Sequence, residues 1–140
     1  MGVSPRSASR PVRIYETVLY ASEVATTAAF YSDTLGLRAV EPPDELSAAF
    51  RLDDGGVLLL FDPARSSAPG RPVPSHGATG DGHVAFGVAA GDLDALADSL
   101  RRRGVEIERE VTWGEGGRSI YIRDPAGNSI ELIEGEAWPA

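Results

Sequence analysis

The sequence predicts an α+β fold: two tandem βαβββ modules whose sheets together form a cup-shaped, partly open barrel. Three observations carry that expectation. Short β-rich runs and helix-period stretches follow the order strand, helix, strand, strand, strand, and the order occurs twice. The two halves align, with Glu16-Thr-Val-Leu-Tyr-Ala over His83-Val-Ala-Phe-Gly-Val and Gly55-Gly-Val-Leu-Leu-Leu over Gly127-Asn-Ser-Ile-Glu-Leu. Between them, residues 62–81 are rich in Pro, Ser and Gly and have no period. A unit of this size cannot bury its own sheet face, so duplication implies two sheets set side by side.

The chain divides accordingly into a flexible N-terminal tail (1–12), a first module (13–61), a linker loop (62–81), a second module (82–134) and a C-terminal tail (135–140). In the first module, residues 12–21 alternate and are β-rich. Ser22 is the expected N-cap of a helix whose stripe is Val24, Ala28, Tyr31 and Leu35. Gly36 ends it, since a residue without Cβ takes the left-handed C′ conformation without strain. Residues 37–40 form a short strand before Pro42-Pro43, and 48–52 and 57–61 form a hairpin about Asp53-Asp54-Gly55-Gly56. In the second module residues 82–88 are a strand. Asp92 is the expected cap of a helix whose apolar face is Leu93, Leu96, Ala97 and Leu100, ended by Gly104. Strands over 105–111, 119–123 and 128–133 follow. Asp124-Pro125-Ala126-Gly127 turns the last two, with Pro and Gly in the places each favours.

Composition excludes several function classes. The formal net charge of −8 opposes nucleic acid or an anionic membrane as partner. The absence of cysteine removes disulfides, thiolate catalysis and Cys-zinc sites. No apolar run approaches the roughly 20 residues that span a bilayer, and residues 1–13 carry arginines without the apolar core of a signal peptide. The expected location is cytoplasmic.

The alignment of the halves makes Glu16, Leu59, His83 and Glu131 equivalent inward positions. His83 shares its strand face with Ala85 and Gly87, which leaves room around the imidazole. Glu131 lies mid-strand in Ser-Ile-Glu-Leu-Ile, where an unpaired buried carboxylate is costly. Each of the two carboxylates, taken alone, is as well explained by an arginine partner such as Arg118 or Arg123, or by an edge-strand position facing water. Taken together, two carboxylates and an imidazole at equivalent positions form a metal-binding set, Glu16, His83 and Glu131. That set favours Fe(II), Mn(II), Ni(II) or Mg(II) over copper, with Zn(II) also accommodated. Tyr121 is a candidate catalytic donor or acid, the alternative being a core tyrosine with a satisfied hydroxyl. His76, in the linker loop, is a candidate acid/base or substrate contact; a solvated loop histidine is the commoner case. Tyr20, Trp113 and Arg123 are candidate substrate contacts, and Gly114-Glu-Gly-Gly117 after Trp113 reads as a lid or an ordinary loop.

Three stretches resemble the vicinal oxygen chelate superfamily, which includes glyoxalase I, extradiol dioxygenases and the fosfomycin- and bleomycin-resistance proteins. They are Glu16-Thr-Val-Leu-Tyr-Ala-Ser-Glu with Phe30-Tyr31 and Leu35-Gly36-Leu37, then Gly82-His83-Val84-Ala85-Phe86, then Tyr121-Ile-Arg-Asp124-Pro125-Ala-Gly127-Asn128-Ser-Ile-Glu131. The resemblance implies that His83 and Glu131 fall on the family's metal ligands and that Glu16 stands where a histidine is usual. Leu59 stands where glyoxalase I carries a further ligand, and leucine cannot ligate. Tyr121 matches the spacing of the extradiol active-site tyrosine. The implied function is a divalent-metal-dependent dioxygenase or lyase/isomerase acting on a small molecule that chelates through adjacent oxygens, as a homodimer. The alternative is a non-catalytic binding protein of the bleomycin-resistance type.

Overall fold

Alternation along Glu16–Tyr20 sends Leu19 inward and leaves Glu16, Val18 and Tyr20 on the other face, and every strand that pairs with it follows the same rule. The computed structural model describes residues 9–140, so residues 1–8 of the expected N-terminal tail lie outside the described residues. The first sheet has the order β1 (Glu16–Tyr20), β4 (Val57–Phe61), β3 (Ser47–Arg51), β2 (Arg38–Ala39). The second has β5 (His83–Gly87), β8 (Ser129–Glu134), β7 (Arg118–Arg123), β6 (Arg109–Thr112). The repeat is kept to the residue in the register. β1 pairs parallel with β4 from Glu16↔Val57, and β5 pairs parallel with β8 from His83↔Ser129. The two sheets do not close into a barrel within the chain; each keeps one open face.

The other face of each sheet is covered by its helix. Leu19, Ala48, Phe50, Leu58 and Leu60 pack under α1 (Val24–Ala29), and Ile120, Ile122, Ile130 and Leu132 under α3 (Leu93–Arg102). All of these belong to one apolar cluster. At about 25 cal/mol per Å2 of apolar surface removed from water, each large side chain there contributes roughly 1.5–3 kcal/mol.

Several local details differ from the sequence expectations. α1 is capped at Glu23, not Ser22, and without a side-chain bond. It runs into a π-helical turn, Phe30–Thr34, before Gly36 ends it at φ +71°. Asp92 holds the N-cap position of α3 but its side chain bonds no helix N–H; the Glu134 carboxylate at the end of β8 accepts from Gly91 and Leu93 N–H instead, at 2.7 and 3.1 Å. The strand expected over 105–111 shrinks to Arg109–Thr112, because Val105 and Ile107 turn onto the core and Val105 N–H closes the end of α3 on the Leu100 carbonyl. Within the aperiodic stretch 62–81, Asp62 caps a short helix, α2 (Pro63–Ser66), accepting from Ala64 N–H at 2.9 Å.

The modules are joined by a buried polar cluster at the turn before β8. Asp124 Oδ2 accepts from the Tyr31 hydroxyl at 2.7 Å and from Asn128 Nδ2 at 2.9 Å. Asn128 Nδ2 also donates to the Tyr20 carbonyl at the end of β1, and Asn128 Oδ1 accepts from Gly82 N–H just before β5. Burial, followed by the Asp124 bond and charge, raises the Tyr31 phenol far above its usual range, so it is a fixed donor. Gly82 fits closely there: a Cβ on it would lie 3.0 Å from Leu19 Cδ2 and 3.2 Å from Asn128 Oδ1, so one of them would have to shift.

Candidate functional site

The open face of the second sheet carries His83, Ala85 and Gly87 from β5, Ser129 and Glu131 from β8, and Ser119 and Tyr121 from β7. Alternation alone places them together, since Ala85 and Tyr121 flank Glu131 across the two ladders. His83 Nδ1 lies 3.0 Å from the Ser129 carbonyl oxygen, which can only accept, so Nδ1 donates there, and in the neutral imidazole that tautomer leaves the lone pair on Nε2. Nε2 faces Glu131 Oε1 at 3.4 Å. That gap is wider than the 2.7–3.2 Å of a good N–H···O bond. It is the separation, roughly 3.4 Å, of two ligands held about 2.1 Å from a first-row cation at a tetrahedral angle. Two ligand-type atoms at that spacing can share one divalent cation.

The carboxylate of Glu131 is held from behind. Its Oε2 accepts from the Ser119 hydroxyl at 2.5 Å, and Ser119 Oγ accepts from Trp113 Nε1–H at 2.8 Å. Glu131 is 8% exposed while half of the His83 side chain is open, so the pair lies at the floor of an accessible face. Tyr121 stacks on His83 with ring centroids 6.3 Å apart and planes at 20°. Its phenol is raised by burial, then by the charge of Glu131 and a hydrogen bond to it, with Ser119 acting in the opposite sense. In its neutral form Tyr121 presents an O–H beside the His83–Glu131 pair.

The open face of the first sheet is built on the same register. Glu16, Val18 and Tyr20 stand beside Val57, Leu59 and Phe61, with Leu59 opposite Val18 where Glu131 is opposite Ala85. Glu16 is exposed and lines a groove of about 150 Å3 along the β1–β5 seam with Val84, Ala85 and Phe86. The expectation that Glu16, His83 and Glu131 stand together is not met within one chain: among the described residues, no group of three His, Cys, Asp or Glu is placed to hold a metal. The reason is geometric. Equivalent positions in a repeat occupy equivalent points on two sheets, and those sheets sit side by side.

His76 is not a free loop residue. Its Nδ1 and the Tyr20 hydroxyl share a hydrogen bond at 2.7 Å, and its ring meets Phe61 edge-on at 4.8 Å. Ser66 pins its backbone, accepting at the carbonyl from His76 N–H and donating from Oγ to His76 O. Arg71 lies over Phe61, 5.6 Å from the ring centroid, so the 62–81 segment roofs one end of the first open face. Arg123 is engaged by Glu108 at 3.1 Å and faces Asp81 at 3.5 Å. The run after Trp113 is a tight turn, not a lid, closed by Trp113 N–H on Gly117 O at 2.8 Å and tied to the Glu136 carbonyl through Gly117 N–H. Sequence reasoning missed Ser119 as a site residue. The signal was present: it shares the face of Tyr121, two residues away on the strand that pairs with Glu131.

The site can be set beside known proteins. A family model described as the Glyoxalase/Bleomycin resistance protein/Dioxygenase superfamily matches residues 13–132. Over 135 residues the chain is 27% identical to a lactoylglutathione lyase of Haemophilus influenzae, covering 90% of this chain and 95% of that protein. Over 129 residues it is 30% identical to biphenyl-2,3-diol 1,2-dioxygenase 3 of Rhodococcus globerulus, covering 91% of this chain and 66% of that one. The crystal structure of a lactoylglutathione lyase from Agrobacterium tumefaciens superposes with a TM-score of 0.87 at 37% identity, covering 94% of this chain and 100% of that one. No helix among the described residues is long and apolar enough to cross a membrane.

Proposed function

The chain belongs to the Glyoxalase/Bleomycin resistance protein/Dioxygenase superfamily, and from that premise we propose that it is a divalent-metal-dependent enzyme acting on a small molecule with two adjacent oxygens. The observation that carries the reading is the 3.4 Å separation of His83 Nε2 and Glu131 Oε1, each with its second polar atom already engaged by the protein. His83 and Glu131 would hold the metal, and Glu16 would complete the set. When bound, the cation supplies Lewis-acid stabilisation to the chelating oxygens. The chain's own residues do the rest. Ser129 fixes the imidazole tautomer, Ser119 fixes the carboxylate, and the Tyr121 hydroxyl donates to an oxygen of the substrate beside them. Tyr20, held by His76, and Trp113, held by Ser119, supply aromatic wall.

Because Glu16 does not join the pair within the chain, the reading requires it from a second copy. A two-fold contact that lays the first open face of one copy on the second open face of the other creates two identical closed cups. Leu59 lies where Glu131 lies in the second module and offers no ligand atom, so the donor set stops at three.

The test is metal binding by mixed variants. Wild type freed of metal should bind one equivalent of Ni(II) or Zn(II) per chain, and Glu16→Ala and His83→Ala should each bind none tightly. Mixed and reassociated, the two variants should regain about a quarter of the sites, because half the dimers are mixed and each mixed dimer has one intact cup. No metal in wild type overturns the enzyme reading in favour of a binding protein without metal chemistry. Metal in wild type with no recovery on mixing overturns the shared cup. Oxygen uptake with a catechol, or S-lactoylglutathione formation without it, then separates dioxygenase from lyase chemistry.

A further inference from the structure

Ser119 holds the Glu131 carboxylate, and what holds Ser119 in turn has a consequence for the metal site. That chain runs from the hairpin between β6 and β7 into the sheet: Trp113 Nε1–H donates to Ser119 Oγ at 2.8 Å, and the Ser119 hydroxyl donates to Glu131 Oε2 at 2.5 Å. Ser119 is 1% exposed, so its hydroxyl is bonded within the protein rather than to bulk water. A serine has a single proton to give. With that proton committed to Glu131, its oxygen needs a donor from elsewhere, and the indole N–H, which can only donate, fixes the direction of the whole chain.

The origin of the relay is itself immobilised. Trp113 N–H bonds to Gly117 O, Gly117 N–H bonds to Glu136 O, and a Cβ on Gly117 would come within 2.5 Å of that same carbonyl oxygen. The internal repeat provides a comparison. Ser47 stands opposite Phe61 as Ser119 stands opposite Ile133, and next to it the first module has Leu59 in place of Glu131. There the serine has no carboxylate beside it to orient.

We propose that Trp113 and Ser119 are positioning residues that hold Glu131 by Oε2 and so present Oε1 alone to a divalent cation. This rests on the metal-binding reading above. Removing the serine hydroxyl frees the carboxylate to rotate and leaves the indole N–H without its acceptor, so the cation loses a fixed ligand. On the cation Trp113 acts only through Ser119, which gives the proposal a signature that loss of packing does not share. The two substitutions must not add.

The experiment is calorimetric titration of the metal-free full chain with Zn(II) alone. Ser119→Ala should weaken binding about 10- to 100-fold, the usual range for loss of a partner that orients a ligand. Trp113→Phe, which keeps a ring and removes the N–H, should weaken it less. The double variant should bind as Ser119→Ala does. Circular dichroism and a cooperative melt establish that each variant is folded. Equal affinity of wild type and folded Ser119→Ala overturns the relay while leaving the metal site standing, as does full additivity in the double variant. Failure of wild type to bind Zn(II) overturns the metal site and the relay together.

Discussion

Asn128 is one side chain on which both modules depend, and its removal has a calculable cost. It is buried, accepts from Gly82 N–H at 2.8 Å and donates to Asp124 Oδ2 and the Tyr20 carbonyl at 2.9 and 3.1 Å. Asn128→Ala deletes three hydrogen bonds at about 1 kcal/mol each and leaves Gly82 N–H and Tyr20 C=O short of a partner, for a total of about 3–5 kcal/mol. Against a typical domain stability of roughly 5–15 kcal/mol, that is a large share. With a urea slope of about 2 kcal/mol per M, the unfolding midpoint should fall by about 2 M. Asn128→Asp is the sharper version. It keeps an acceptor for Gly82 but sets a carboxylate against Asp124, so its own pKa rises in the folded state. The part of its penalty due to charge should therefore be absent below about pH 4 and grow as pH rises from there, on top of the Nδ2 donations lost at every pH. The measurements are urea titrations at several pH values and hydrogen exchange at the Gly82 amide, which should lose protection. A midpoint for Asn128→Ala within about 0.5 M of wild type, with Gly82 still protected, would refute the reasoning. Solvent would then be satisfying the groups that otherwise rely on one amide.

Two further outcomes follow from the same structure. The raised pKa of Tyr31 means the folded state keeps a proton that the unfolded chain releases near pH 10, so stability from this bond is intact below that pH and drains away as pH rises above it. Tyr31→Phe should cost about 1–2 kcal/mol at neutral pH and lie nearer to wild type at about pH 11, read from thermal melts at both. Gly117→Ala places a methyl group 2.5–2.8 Å from backbone atoms of Glu136 and should cost about 1–3 kcal/mol. Gly114→Ala, with nothing within 4 Å, should melt as wild type does; equal melting of both alanine variants contradicts the close approach.

Much of the architecture is legible because the sequence repeats. Alternation places β3, β4, β5, β7 and β8 close to their observed bounds, and Val57–Phe61 falls where the pattern puts it. β1 begins only at Glu16, since alternating residues before it have no strand to pair with until Val57. β6 is shorter than its apolar run because Val105 and Ile107 serve the core from outside the sheet. The π turn after α1 leaves no mark in the sequence, since apolar spacing of three and four does not reveal where one extra residue enters a turn. At the site, the adjacency of His83 and Glu131 follows from duplication and alternation. Glu16 shows the limit of that logic: symmetry names its counterpart, and only the placement of two sheets decides whether counterparts meet. The Trp113–Ser119 bond depends on where a hairpin directs an indole, which no local pattern encodes.

Each sheet ends on its outer side in a strand that offers little to an incoming chain. β2 has two residues, and β6 carries exposed Arg109 and Glu110 along its four. The long parallel strands β1 and β5 lie at the inner seam. Growth by strand addition is therefore discouraged at both rims, although two sheet faces stand open. Stacking face on face remains, and in the proposed two-fold arrangement that contact uses up both surfaces and closes. In the proposed dimer the margins therefore add nothing to the contact, and the two faces alone decide where it stops.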